Sequence, residues 1–306
     1  MGRFALRRIV QGIVVVFLVT VVVFVTTRLV GDPVKVMLPF ESTAQQRAVF
    51  KHRLGFDRPL PVQFGDYLDQ LAHGDFGTSL LQGRSTIRIV GEHLPATFEL
   101  VFAGMAIAVL LAVPLGVLAA LRPGGVVDRA SVFLSLLGLS VPQFFLGIVL
   151  ILFFAVELKL VPASGKGGFS HLILPALSLA LPAVGRLTMI ARSSMIDELG
   201  QPYVQTARAK GIPTWRVIGI HALRNAFIPV LTLSGWELIR ALAGYSVVVE
   251  TVFAWPGVGY LAYQSIQQQD LFLLQTIVLV VAVLVVAVNV SIDILYRAVD
   301  PRIKLA

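Results

Sequence analysis

The sequence contains no cysteine, which excludes disulfides and thiolate metal sites. Its five histidines, His52, His73, His93, His171 and His221, stand apart without ligand spacing, so no metal site is expected. The stretch Gly165-Lys166-Gly167-Gly168 lacks the spacing of a phosphate-binding loop. Neither H-E-x-x-H nor G-x-S-x-G occurs. No catalytic residue can therefore be named, and an enzyme is not expected. Charge is scarce as well. Charged residues make up 14% and hydrophobic ones 57%, against about 25% and about 45–50% in soluble domains. The mean hydropathy is +0.84. These deficits point to a bilayer as the solvent.

Crossing about 30 Å of hydrocarbon takes about 20 helical residues. Six stretches qualify: 9–27, 96–121, 130–156, 171–190, 226–249 and 271–296. The reading is an all-α membrane protein with six transmembrane helices. Pro114, Pro142, Pro175, Pro182 and Pro229 lie in or near the spans; neighbours or water can satisfy the carbonyls they free, and bends are expected there. The first span follows Arg3, Arg7 and Arg8, as a signal peptide would. It exceeds the usual apolar length of about 7–15 residues and runs into Arg28 and Gly31-Asp32-Pro33, so it reads as an uncleaved anchor.

Basic residues near the spans set the orientation. Arg3, Arg7, Arg8, Arg122, Arg129, Arg192, Arg208, Lys210, Arg216, Arg224, Arg297, Arg302 and Lys304 fall on one side, and Lys159 and Lys166 on the other. Both termini are therefore expected in the cytoplasm. The expected organisation is span one with its N-terminus in 1–28, an extracytoplasmic segment 29–95, a five-helix core 96–300 and a tail 301–306. The segment 29–95 mixes acidic, basic, apolar and turn residues, among them Arg58-Pro59-Leu60-Pro61 and Gly74-Asp75-Phe76-Gly77. It reads as a small ordered cap.

The cytoplasmic loop 192–225 breaks the apolar pattern. Pro202 suits the first turn of a helix, Gly211 its end, and Pro213 lies beyond. Arg208 and Lys210 fall in the last turn, where the helix dipole favours cations. A short helix over 202–210 is predicted, and a second, capped by Thr214, running through Trp215, Val217, Ile218 and Leu223. So short a helix is marginal alone in water. Either a protein partner or anionic lipid would cover it.

Here the chain resembles a known family. Gln205-Thr206-Ala207, followed by Gly211, has the spacing of the cytoplasmic motif of ATP-binding cassette import permeases, E-A-A, three residues, then glycine. Tyr203–Lys210 with Gly211, and His221-Ala222-Leu223-Arg224-Asn225, resemble the dipeptide/oligopeptide/nickel branch. So do Gly31-Asp32-Pro33, Arg58-Pro59-Leu60-Pro61-Val62-Gln63, Gly74-Asp75-Phe76-Gly77, Leu94-Pro95-Ala96-Thr97, Glu250-Thr251-Val252-Phe253 and Trp255-Pro256-Gly257. The long segment after span one is similar to that of the first permease subunit of such systems. Two departures stand out: Gln205 replaces the motif glutamate, and Arg224 stands where the general pattern has proline.

The resemblance implies a permease subunit of a bacterial plasma (inner) membrane importer of di- or oligopeptides. A nickel complex or another small solute such as haem is an alternative cargo, and an ion-coupled secondary transporter a rival reading. It implies a second permease subunit, two ATPase subunits that bind ATP and Mg, and an extracytoplasmic substrate-binding protein. Tyr203, Gln205, Thr206, Ala207, Arg208, Lys210, Gly211 and Arg216 would couple to an ATPase. Glu237, Arg240, Gln143, Glu250, Trp255, Pro256 and Gly257 are candidates for the pathway or its gate. Glu237 and Arg240, three apart, share a helix face, either as a pathway group or as a structural pair. Arg186 lies deep in span four or snorkels to its cytoplasmic side. Glu99 is expected at an interface, Asn289 and Asp293 as packing groups or caps, and Gln143 as a partner for a carbonyl freed by Pro142.

Overall fold

A computed structural model of the chain describes residues 2–30, 42–53 and 55–299. The motif Gly31-Asp32-Pro33 and the tail 301–306 lie outside the described residues. The helices in order are α1 (Gly2–Val30), α2 (Ala44–Arg53), α3 (Leu60–Ala72), α4 (Thr86–Leu121), α5 (Val126–Ser140), α6 (Gln143–Glu157), α7 (Phe169–Leu199), α8 (Pro202–Ala209), α9 (Thr214–Val252), α10 (Val258–Gln267) and α11 (Leu271–Val299). The described residues contain no β-strand; a single bridge pairs Thr78 with Ser85. The chain divides into two compact units, residues 1–96 with 257–294, and residues 97–256 with 295–306.

Among the described residues, five helices (α1, α4, α7, α9 and α11) are long and apolar enough to cross a bilayer, and six spans result if α5 and α6 count as one. The third expected span, 130–156, is not a straight helix: α5 and α6 meet at 104°. Pro142 is the cause. It lacks an N–H and disfavours helical backbone in the residue before it. Val141 (ψ 124°) and Pro142 (ψ 138°) are accordingly extended. Pro175 and Pro182 lie inside α7 and Pro229 inside α9, and both helices continue through them. The fifth span is longer than 226–249. It is part of one 39-residue helix that widens to π-helical turns at Val217–Ala222 and Ala241–Tyr245.

In the first unit, Pro59 precedes α3 and Pro61 lies in its first turn, where the missing N–H of proline costs no helical hydrogen bond. Phe24 of α1 is buried and packs on Phe64 and Tyr67 of α3, with ring centroids 5.1 and 5.6 Å away. Ile89, Val90, Val258, Leu261, Leu273 and Ile277 form a second core cluster. The Gly-Asp-Phe-Gly turn is bound in: Thr86 Oγ1 donates to Phe76 O at 2.9 Å, and Thr276 Oγ1 lies 2.8 Å from Thr86 Oγ1.

In the second unit, α7 is the central helix. Ala108 and Ala112 of α4 meet Ala180, Ala183, Leu187 and Ala191 of α7 and Val230 of α9. Small residues allow this close approach in a bilayer, where packing rather than water expulsion holds helices together. A Cβ on Gly116 would stand 2.6 Å from Ala191 Cβ, and one on Gly185 would stand 2.7 Å from Ser135 O. Neither position has room for a side chain.

Candidate functional site

The loop helix α8 forms as expected, from Pro202 at its first turn to Gly211 at its end. Gly211 has φ +73°, a left-handed conformation that glycine adopts without strain. The Gly211 N–H donates to Arg208 O at 2.9 Å and Ile212 N–H to Ala207 O at 3.2 Å, which satisfies carbonyls at the helix end. Thr214 does not cap the second helix. It is the first helical residue, and Pro213 holds the cap position without a side-chain bond. Pro213 is extended (ψ 141°) and has already turned the chain.

Two residues fasten α8 to its own chain. Val204 and Ala207 are buried among Ala120, Met195, Val217, Ala222 and Ala226. Ala207, grouped with the coupling residues in the sequence, is therefore part of the floor beneath them. Tyr203 adds a polar tie: its hydroxyl donates to Glu198 and accepts from Asn225 Nδ2 at 3.1 Å. Burial, and then the Glu198 carboxylate, raise the Tyr203 pKa, so the phenol keeps its proton. The opposite face is free. Gln205, Thr206, Arg208, Lys210 and Gly211 are exposed. Thr206 Oγ1 bonds Pro202 O at 3.0 Å, and Gln205 Nε2 reaches Gly200 O at 3.4 Å. Arg208 and Lys210 form no ion pair with the described residues. Beside them Trp215 is 64% exposed, with the Arg216 guanidinium 5.0 Å from its ring. The loop thus offers a cationic, partly aromatic face on a rigidly seated helix between two long helices.

A second group lies inside the helices of the same unit. Glu237 pairs with Arg240 at 3.1 Å and, more closely, with Arg186 of α7. Arg186 Nε and Nη2 grip its two oxygens at 2.6 and 2.7 Å. Sequence spacing finds the α9 pair and misses the dominant partner, which comes from another helix. Asp128 is a further residue the sequence does not single out. It takes both Arg192 nitrogens, Nη2 at 2.8 Å, and the Gly124 N–H at 2.7 Å, closing the turn between α4 and α5.

The remaining candidates are dispersed. Glu250 is fully buried and accepts from Thr97 Oγ1 at 2.7 Å. Trp255 is 1% exposed, with Lys166 Nζ 5.4 Å from its ring and 2.6 Å from Glu99. Trp255 is therefore a core side chain and offers no surface. Gln143 does not relieve the Pro142 kink: its Nε2 is buried without a partner, while the Ser178 hydroxyl lies 3.4 Å from its carbonyl. Pro256 and Gly257 lead into α10. Asp293 is an ion-pair member, 3.0 Å from Arg8.

Comparison with known proteins agrees with this architecture. Residues 112–305 match the family model "Binding-protein-dependent transport system inner membrane component", and residues 1–101 match the model of its N-terminal part. A di/tripeptide transport system permease protein of Pseudomonas aeruginosa is 39% identical, over 99% of each chain. An oligopeptide transport system permease protein of Bacillus subtilis is 37% identical, over 99% of this chain and all of the relative. A glutathione transport system permease protein of Salmonella typhi is 36% identical, over 99% of each. Among solved structures, an inward-facing MetNI methionine ABC transporter chain is similar in fold, with a TM-score of 0.59 and 20% identity over 69% of this chain and 96% of the other. This multi-pass, all-helical chain belongs to the family of inner membrane components of binding-protein-dependent transport systems.

Proposed function

We propose that the chain is one permease subunit of an ATP-driven importer of di- and oligopeptides, working with a second permease, two ATPase subunits and an extracytoplasmic binding protein. The full-length relatives that carry peptide-permease names support the cargo class. The distribution of Lys and Arg supports cytoplasmic termini, a cytoplasmic loop 192–225 and an extracytoplasmic segment 29–95.

The observation that carries the mechanism is α8. It is a stiff, capped helix whose apolar side is anchored by Val204 and Ala207 and whose outer side carries Gln205, Thr206, Arg208 and Lys210. In this reading a groove of an ATPase subunit receives that outer face. Arg208 and Lys210 supply the polar contacts where Gln205 has replaced an acid. ATP and Mg belong to the partner, whose closure displaces α8 as a handle on α7 and α9. Such a rigid-body switch needs a contact that differs between the two ATPase states. Glu237 with Arg186 and Arg240 is the polar cluster proposed for the pathway. Glu250, Trp255, Pro256 and Gly257 would shape its outer end from within the core.

The test is reconstitution of the purified assembly in proteoliposomes. Uptake of a labelled tripeptide should require ATP and persist with a proton uncoupler. A Gln205→Cys variant should cross-link to the ATPase. Uptake by the chain alone under an ion gradient would overturn the reading.

A further inference from the structure

Arg28, the last residue of the first apolar span, lies half-buried in the first unit. Its guanidinium carbon stands 4.5 Å from the Phe56 ring centroid, 5.1 Å from Phe24 and 5.9 Å from Phe272. Aromatic faces attract a cation but leave its charge in place. Its Nε donates to Gln63 Oε1 at 3.1 Å. Gln63 in turn donates Nε2 to Arg58 O at 2.8 Å and Phe56 O at 3.3 Å, so both ends of that amide are used. Among the described residues no carboxylate pairs with Arg28. Charges withdrawn from water are ordinarily matched by an opposite charge.

A cavity of ≈ 210 Å³ lies against this guanidinium, with Tyr67 and Gln275 in its wall. Gln275 is 3% exposed; its buried Nε2 makes no well-formed hydrogen bond, and its side chain lies beside the Tyr67 hydroxyl. Burial pushes the Tyr67 hydroxyl up to about 12, outweighing the Gln275 side chain and the Arg28 charge that pull it down, so it keeps its proton and remains a donor. The wall includes one acid, Asp66, which Arg58 Nη1 holds at 3.2 Å. Among the described residues, two guanidinium groups thus face a single carboxylate. The surplus is one positive charge, and the donors Arg28, Gln275 and Tyr67 share one small space.

We infer that this cavity is a binding site for a carboxylate group, seated on Arg28 and Gln275. A planar carboxylate matches the guanidinium fork, and its single charge matches the surplus. A phosphate, nearer two negative charges, would leave an excess beside Asp66. The space admits a carboxyl head and a short stem, not a folded chain. The carboxylate belongs either to a small free acid, such as a peptide C-terminus, or to an acidic side chain presented by a docking protein.

The experiment uses the full chain purified in detergent, where neither sidedness nor transport enters, so its failure leaves the permease reading standing. Thermal unfolding is followed with acetate, trialanine, trialanine amide and N-acetyl-aspartate amide, each against chloride at equal ionic strength. Acetate should raise the midpoint saturably. Gln275→Met and Tyr67→Phe should each weaken the effect at least tenfold, and Arg28→Lys should weaken it through loss of the fork. The second and third variants serve if the first does not fold. A larger effect of trialanine than of its amide identifies a free C-terminus as the source. A larger effect of the aspartate amide identifies a side chain. No saturable shift with acetate, a shift that chloride reproduces, or one that survives in the folded variants would overturn the site.

Discussion

Arg186 reaches both carboxylate oxygens of Glu237, from α7 to α9, at 2.6 and 2.7 Å, and Arg240 joins one of them at 3.1 Å. Glu237 is 2% exposed. Removing one member of a buried pair costs about 3–5 kcal/mol, whereas replacing both by apolar residues is often neutral. Glu237→Ala should therefore lower unfolding stability in detergent by roughly that amount. The double variant Arg186→Met/Glu237→Met should recover most of it. If the cluster serves the pathway as well, the double variant will be stable and still fail in peptide uptake. Recovery of both properties would leave the pair a purely structural strut.

Gly211 offers a cleaner test of the loop. Its φ is +73°, and a Cβ there would meet nothing within 4 Å. Backbone strain alone distinguishes substitutions at this position, by about 1–2 kcal/mol for alanine. Gly211→Ala should leave the chain folded and inserted but lower ATP-driven uptake, because the end of α8 is displaced. Gly211→Asn, which tolerates a left-handed conformation, should retain most activity. Equal uptake by both variants would show that the angle of α8 is not transmitted.

The two sides of α8 should separate stability from coupling. Val204 is fully buried, and withdrawing a valine side chain from water contributes about 1.5–3 kcal/mol. Val204→Asp should loosen α8, seen as faster amide exchange across 202–216. Arg208→Glu, on the exposed face, should leave exchange unchanged. It should weaken association with the ATPase subunit about tenfold, equivalent to about 1.4 kcal/mol. Weakened association from Val204→Asp alone would assign the contact to another surface.

The helices are legible in the sequence because the bilayer imposes a length and a composition that composition alone reveals. The ends of α8 are legible too, since proline and glycine act on their own backbone. What escapes is long-range pairing. Nothing local tells Arg186 that Glu237 is its partner, or Asp128 that it will close a turn onto Arg192. Trp255 illustrates the same limit: beside proline and glycine it reads as a candidate for the pathway or its gate, and the sequence does not show that it is packed to 1% exposure. Pro142 divides its span while Pro175, Pro182 and Pro229 do not. The outcome depends on neighbouring helices, which a one-dimensional pattern omits.

Asp270 governs the order of the segment before α4. Its Oδ2 accepts from Ser79 Oγ at 2.5 Å; Oδ1 accepts from Leu80 N at 3.3 Å and from Leu273 N at 3.2 Å. One buried carboxylate thus caps α11 and holds the turn that follows Gly74-Asp75-Phe76-Gly77. Loss of a helix cap costs about 0.5–2 kcal/mol. Buried donors left without an acceptor add about 1–3 kcal/mol. Asp270→Ala should therefore make residues 74–86 sensitive to a protease that spares the wild type. Asp270→Asn, which keeps one acceptor oxygen, should be intermediate, and Ser79→Ala milder still. The helices of the second unit should resist digestion in all three variants. If Asp270→Ala remains as resistant as wild type, the turn is held by Thr86 and Thr276, whose hydroxyls converge on Phe76 O at 2.9 and 3.2 Å.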